Sequence, residues 1–204
     1  MRSFRDSAMK RFLCAMGAIA FALAVFAPIP ARAAFHLWNI DEVYTNSSGT
    51  LQFIELTDSS GGQNFVNGQQ IQVSNTGNTL TNTFTIPGSS LPGNTFNHSL
   101  LLGTAGIQAA GGPAPDYIIP NGFLFAAGGT ISFWGSNGGA YTALPTDGLL
   151  SRTWNGGNAT NTPTNFAGAS GTVVTPEPAS LAIVFVIVGV GFLRRRAAAP
   201  GNGG

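Results

Sequence analysis

Four carboxylates stand near one another early in the chain: the adjacent pair Asp41 and Glu42, then Glu55 and Asp58. Alternating apolar residues surround both groups, so the two stretches read as paired strands that bring the four acids together. A cluster of this kind could hold Ca²⁺, which takes roughly six to eight oxygen ligands. It could also supply the acid and base of a glycosidase. A structural role competes with both. In that role Glu42 and Glu55 accept hydrogen bonds from backbone or hydroxyl groups and Asp58 caps a turn. Arg152 is expected to pair with one of these acids. Trp38, Trp134 and Trp154 could stack on a sugar or could pack in a core.

Other chemistry has little to work with. The histidines are His36 and His98, and the one cysteine, Cys14, lies in the N-terminal apolar run. A zinc site built from His and Cys is thereby excluded. No nucleophile elbow, phosphate-binding loop or His-Glu-x-x-His helix occurs. No catalytic residue and no cofactor are therefore assigned. Asn-x-Ser/Thr triplets at Asn46, Asn97 and Asn158 are near chance in a chain so rich in these residues.

Nine Lys or Arg and eight Asp or Glu in 204 residues amount to 8% charge, against about 25% for a soluble globular protein. Eight of the nine cations lie before Ala34 or after Thr175. Between them six acids face one arginine, a formal charge of −5. Nucleic-acid binding is excluded, because phosphate contacts require clustered Lys and Arg.

The elements that must position the acids are strands. Period-two patterns run through Leu51–Leu56, Ile71–Val73, Leu80 with Phe84 and Ile86, and Ile131 with Phe133. Gly, Asn and Pro turn signals separate them, and fifteen aromatic residues between 34 and 174 can seed a core. No amphipathic helix is visible in that range. The middle of the chain is predicted to be an all-β antiparallel sandwich over residues 34–154. Residues 155–175, rich in Asn, Thr and Pro, read as a spacer.

Both ends read as addresses. A basic segment up to Arg11, an uncharged run of fifteen residues from Phe12 to Phe26, and Ala31-Arg32-Ala33 make residues 1–33 a signal peptide with a helical apolar core. Cleavage is expected between Ala33 and Ala34, and the exported chain then contains no cysteine. At the other end, Pro176-Glu177-Pro178 precedes an apolar helix predicted over 179–193, with its hydrophobic run from Leu181 to Leu193. Arg194, Arg195 and Arg196 follow, then a tail over 197–204. The sixteen residues from Pro178 to Leu193 would span roughly 24 Å as a helix, short for a bilayer unless the arginines snorkel. The arginines mark the cytoplasmic side and leave the Pro-Glu-Pro element outside.

The order Pro-Glu-Pro, short apolar helix, Arg cluster over residues 176–196 resembles the PEP-CTERM sorting signal. The resemblance implies processing by an exosortase-like membrane peptidase after removal of the signal by signal peptidase. It also implies a link to exopolysaccharide and a route from the inner membrane to the cell surface or extracellular matrix. Ala197–Gly204 extends past the point where such signals usually stop.

A second resemblance concerns the middle. Trp38-Asn39-Ile40-Asp41-Glu42-Val43, Phe53-Ile54-Glu55-Leu56, Val66-Asn67-Gly68 and the later Leu150-Ser151-Arg152 are similar to blocks of lamin-tail-type immunoglobulin-like domains. Gln69 and Gln70 stand where that family prefers an aromatic residue. The resemblance implies an immunoglobulin-like sandwich and supplies no catalytic residue. Together these readings point to an exported, non-catalytic surface or matrix protein. The competing expectation is a carbohydrate-binding or adhesin module on a plain C-terminal membrane anchor.

Overall fold

The computed structural model describes residues 35–133 and 138–175, and every regular element among them is a strand. The signal segment with its Ala33–Ala34 junction lies outside the described residues. So do Trp134, Pro176-Glu177-Pro178, the apolar run from Leu181 to Leu193, Arg194–Arg196 and the tail over 197–204.

Ten strands follow in order: β1 (Trp38–Thr45), β2 (Gln52–Asp58), β3 (Gln70–Asn75), β4 (Thr81–Thr85), β5 (His98–Gly103), β6 (Tyr117–Ile118), β7 (Gly129–Phe133), β8 (Gly139–Tyr141), β9 (Leu150–Thr153) and β10 (Asn158–Thr160). They form a six-stranded sheet in the order β10-β9-β1-β2-β5-β6 and a four-stranded sheet in the order β4-β3-β7-β8. All pairings are antiparallel except that of β5 with β6. One core fills the space between the sheets. Trp38, Ile40, Val43, Ile54, Leu56, Leu100 and Leu102 of the larger sheet meet Ile71, Val73, Ile131 and Phe133 of the smaller. At about 25 cal/mol per Å² of apolar surface, this shared burial is the main force holding the sheets together.

A bulge sets which residues of β1 face this core. Ile40 pairs with Leu56 but Glu42 pairs with Glu55, so Asp41 is the extra residue. In unbroken alternation Trp38, Ile40, Glu42 and Tyr44 would share one face. The bulge shifts the phase, sending Val43 into the core and Glu42 with Tyr44 to the outer face of the large sheet. There Tyr44 stacks on Phe53, ring centroids 5.2 Å apart. Leu101, Ile107 and Val173 complete a small second core on that outer face.

Val173 belongs to the stretch expected to be a spacer, and the structure corrects that reading. Residues 158–160 form β10, paired with β9. Residues 161–175 then pack on the outer face, with Asn161 and Val173 fully buried. Asn161 donates to the carbonyls of Leu149 (2.6 Å) and Val173 (2.8 Å) and accepts from the Val173 amide (2.7 Å). The folded unit therefore runs past residue 154 to Thr175.

The two ends of the sandwich differ. The β1–β2 turn, the β3–β4 turn and the loops after β5 and β6 share one end, joined by the bond from Gly122 N to Gly49 O (2.8 Å) and that from Asn82 Nδ2 to Gly122 O (3.2 Å). The chain leaves from this exit end: the Thr175 amide donates to Gly148 O (3.1 Å) and its hydroxyl lies 3.3 Å from the Tyr44 hydroxyl. At the far end, Leu37 N donates to Gln63 Oε1 (3.1 Å) and Asn97 N donates to Asp58 O (2.7 Å).

Candidate functional site

The structure brings Glu42 and Glu55 together. They are direct cross-strand partners, both on the outer face, and both buried. Two carboxylates opposed in a ladder repel when both are ionised. Each is therefore surrounded by donors. Glu42 accepts from the Ser151 hydroxyl on β9 and from the Thr162 amide (3.2 Å). Glu55 accepts from the Thr164 amide (3.1 Å) and from the Ser99 side chain on β5. Asp116, a third and half-buried acceptor to which the sequence assigns no role, accepts from Leu101 N (2.8 Å) and Phe166 N (2.9 Å). The amides of residues 162, 164 and 166 thus point one after another at carboxylates of the sheet. Alternate amides facing one side are what an extended strand presents. The strap is laid down in that conformation by three acids.

Burial governs their protonation. Loss of hydration pushes Glu42 above the usual carboxylate range, the bonds from Ser151 and Thr162 oppose this, and the charge of Asp41 adds to it. Glu55 is pushed up to about 7, first by burial, with the bonds from Ser99 and Thr164 opposing and the charges of Glu42 and Asp41 adding. Asp116 is raised by burial against the bonds from Leu101 and Phe166. The raised pKa of Glu55 lets the facing pair share a proton toward neutral pH, a means of relieving repulsion where water cannot screen it.

The other two acids of the expected cluster stand apart. Asp41 is exposed on the bulge. Asp58 is buried at the far end, where its Oδ1 accepts from Ser60 N (2.8 Å) and its Oδ2 from Gly61 N (3.1 Å) and the Thr95 hydroxyl (2.6 Å). That is the turn-capping role read from the sequence. Among the described residues no group of three or more His, Cys, Asp or Glu side chains could hold a metal ion. A glycosidase pair needs carboxyls open to a sugar. Glu42 and Glu55 are 6% and 4% exposed beneath the strap. The open hollows at Asn75–Asn78 with Tyr141, and at Leu51 with Val174, are lined by no carboxylate.

Arg152 does not find the acid expected for it. One guanidinium NH₂ donates to Ala143 O (3.2 Å), and the buried Nε has no hydrogen-bond partner. Arg152 lies opposite Val43, whose side chain enters the core, so its own side chain leaves the sheet on the face opposite Glu42. Trp38 is fully buried and donates from Nε1 to Gln63 O (3.0 Å), while Trp154 is half-buried against the same core. Trp38 is thus a core residue and no part of a stacking platform. His36 is exposed; His98 stacks on Phe166 at 4.7 Å with Nδ1 2.9 Å from the Phe166 carbonyl oxygen. Asn46 is also committed to the fold, its Oδ1 accepting from Thr50 N and Leu51 N (3.0 and 3.1 Å) to close the β1–β2 turn. Comparison with protein-family models, with curated proteins and with solved structures finds no match to this chain.

Proposed function

We propose that this is an exported, non-catalytic surface or extracellular-matrix protein, sorted through its Pro176-Glu177-Pro178 signal by an exosortase-type system linked to exopolysaccharide. The observation that carries the reading is the employment of the carboxylates. Glu42, Glu55, Asp58 and Asp116 each accept two or more hydrogen bonds that shape the chain. A side chain so engaged is a poor general acid or base, which must exchange its proton with a bound substrate. The domain is then a stable polar body between two addressing segments.

In this reading signal peptidase cuts between Ala33 and Ala34. The helix over 179–193 holds the product in the inner membrane, with Arg194–Arg196 inside, until the peptidase acts near Pro176–Pro178. The domain is released or joined to a surface acceptor. Its finer fold is the immunoglobulin-like sandwich of lamin-tail-type domains. The antiparallel pairing of the Ile40–Val43 and Phe53–Leu56 blocks supports that assignment. Deleting Leu181–Arg196 tests the sorting role: a shift in partitioning between membrane and outer surface is expected, and unchanged partitioning refutes it.

A further inference from the structure

Among the described residues, large exposed apolar side chains fall into two groups. Leu37, Phe65 and Phe96 lie toward the far end; Leu80, Ile118, Leu149 and Val174 lie at the exit end, 42 to 60% exposed. Of these, Val174 lines an open hollow of about 470 Å³ together with Leu51, Gly106, Ala109 and Ala110. Charge is almost absent there. The turns 46–51 and 76–80 and the loops 104–115 and 119–128 contain no Asp, Glu, Lys or Arg. One exposed acid, Asp147, stands nearby, its Oδ1 accepting from Leu149 N and Leu150 N. A concentration of exposed apolar groups without charge marks a contact surface.

The tether decides what that surface meets. Thr175 is fastened to Gly148 and Tyr44, so no slack precedes Pro176. Four peptide steps separate Thr175 from Ala179, at most roughly 14 Å of chain. The headgroup layer on one side of a bilayer is about 5–8 Å thick. A helix entering the bilayer at 179 therefore keeps the exit end within roughly 14 Å of the hydrocarbon, at most about two headgroup layers.

We infer that the exit end is a lipid-docking surface: while the C-terminal helix is in place, Leu80, Leu149, Val174 and the Leu51–Ala110 hollow rest on the outer leaflet face of the membrane. This rests on the anchored intermediate proposed above. The contact is mainly apolar, its border charges being Asp147 and Arg152, whose guanidinium donates to Ala143 O, so salt alters it little. Three exposed side chains and a shallow hollow would not hold a free domain, but the tether supplies a high effective concentration.

The test uses the exported chain from Ala34, with its C-terminal helix, reconstituted in phosphatidylcholine vesicles. Single cysteines replace Leu80, Leu149 or, at the far end, Phe96, and carry an environment-sensitive dye. Co-flotation with vesicles reads the anchor; its failure removes the anchored intermediate and the docking with it. In chains that float, blue-shifted emission quenched by brominated lipid is expected at positions 80 and 149 but not 96. Water-like emission at all three positions overturns the docking alone. A blue shift that brominated lipid leaves unquenched also overturns it, in favour of contact between protein chains. Thermal unfolding of each labelled chain confirms that the fold is kept, and two exit-end sites guard against loss of either variant.

Discussion

Glu42 and Glu55 face each other across the β1–β2 ladder with their carboxyls buried beneath residues 162–164. The Asp41 bulge creates this opposition, because without it Glu42 would turn toward the core. A facing acid pair under a strap makes the fold sensitive to pH, and the direction can be worked out.

Glu55 is raised from 4.5 to about 7 in the folded protein, so the fold binds a proton that the unfolded chain has released between those values. Stability from this group is full below pH 4.5 and is lost as pH rises through 7. The upward shifts of Glu42 and Asp116 act in the same direction. Denaturant unfolding should therefore show a more stable protein at pH 5 than at pH 8. Glu55→Gln should remove on the order of 1–3 kcal/mol of that difference. An unchanged slope in the variant would show that the pair is not the source.

Asn161→Ala should cost on the order of 2–3 kcal/mol, because it leaves the Val173 carbonyl and amide without their side-chain partner in a buried place, while the Leu149 carbonyl keeps only the Asn161 amide. Hydrogen exchange should quicken first in residues 161–175 while β1 and β2 remain protected. Uniform quickening would mean that the strap does not open by itself.

Gly129 opens β7 opposite Asn75, and a methyl group there would run into the Ser74 carbonyl oxygen. Backbone at both sides cannot easily yield. Gly129→Ala should lower stability by about 2 kcal/mol, in the range of overpacked sites, and thermal unfolding reads the loss.

Arg152→Met should change stability by no more than about 1 kcal/mol. Breaking a buried ion pair typically costs ~3–5 kcal/mol, and among the described residues Arg152 has only the Ala143 carbonyl to lose. A larger loss in equilibrium unfolding would indicate an acid partner after all.

Much of the fold could be read along the chain because β2, β3, β4 and β7 are each patterned by their own sequence alternation. Leu51–Leu56 and Ile71–Val73 show a buried face without reference to any other segment. The structural use of Glu42, Glu55 and Asp58 was also legible from the residues. Residues 155–175 were not, since their place is fixed by acceptors elsewhere in the chain. Nothing local to Thr162, Thr164 and Phe166 announces that Glu42, Glu55 and Asp116 will receive their amides. The partner of Arg152 was misjudged for a related reason. The bulge at Asp41 decides which face Glu42 takes, and a bulge of one residue leaves no mark in the alternation of a strand whose residues are mostly buried.

The most direct test of the account is the intact mass of the protein recovered from outside the cells, with sequencing of its terminal peptides. A chain is expected there that begins at Ala34 and whose own sequence ends within or just before Pro176-Glu177-Pro178, free or carrying an acceptor. Recovery there of a chain that begins at Met1, or that continues through Arg194–Arg196 to Gly204, would contradict it.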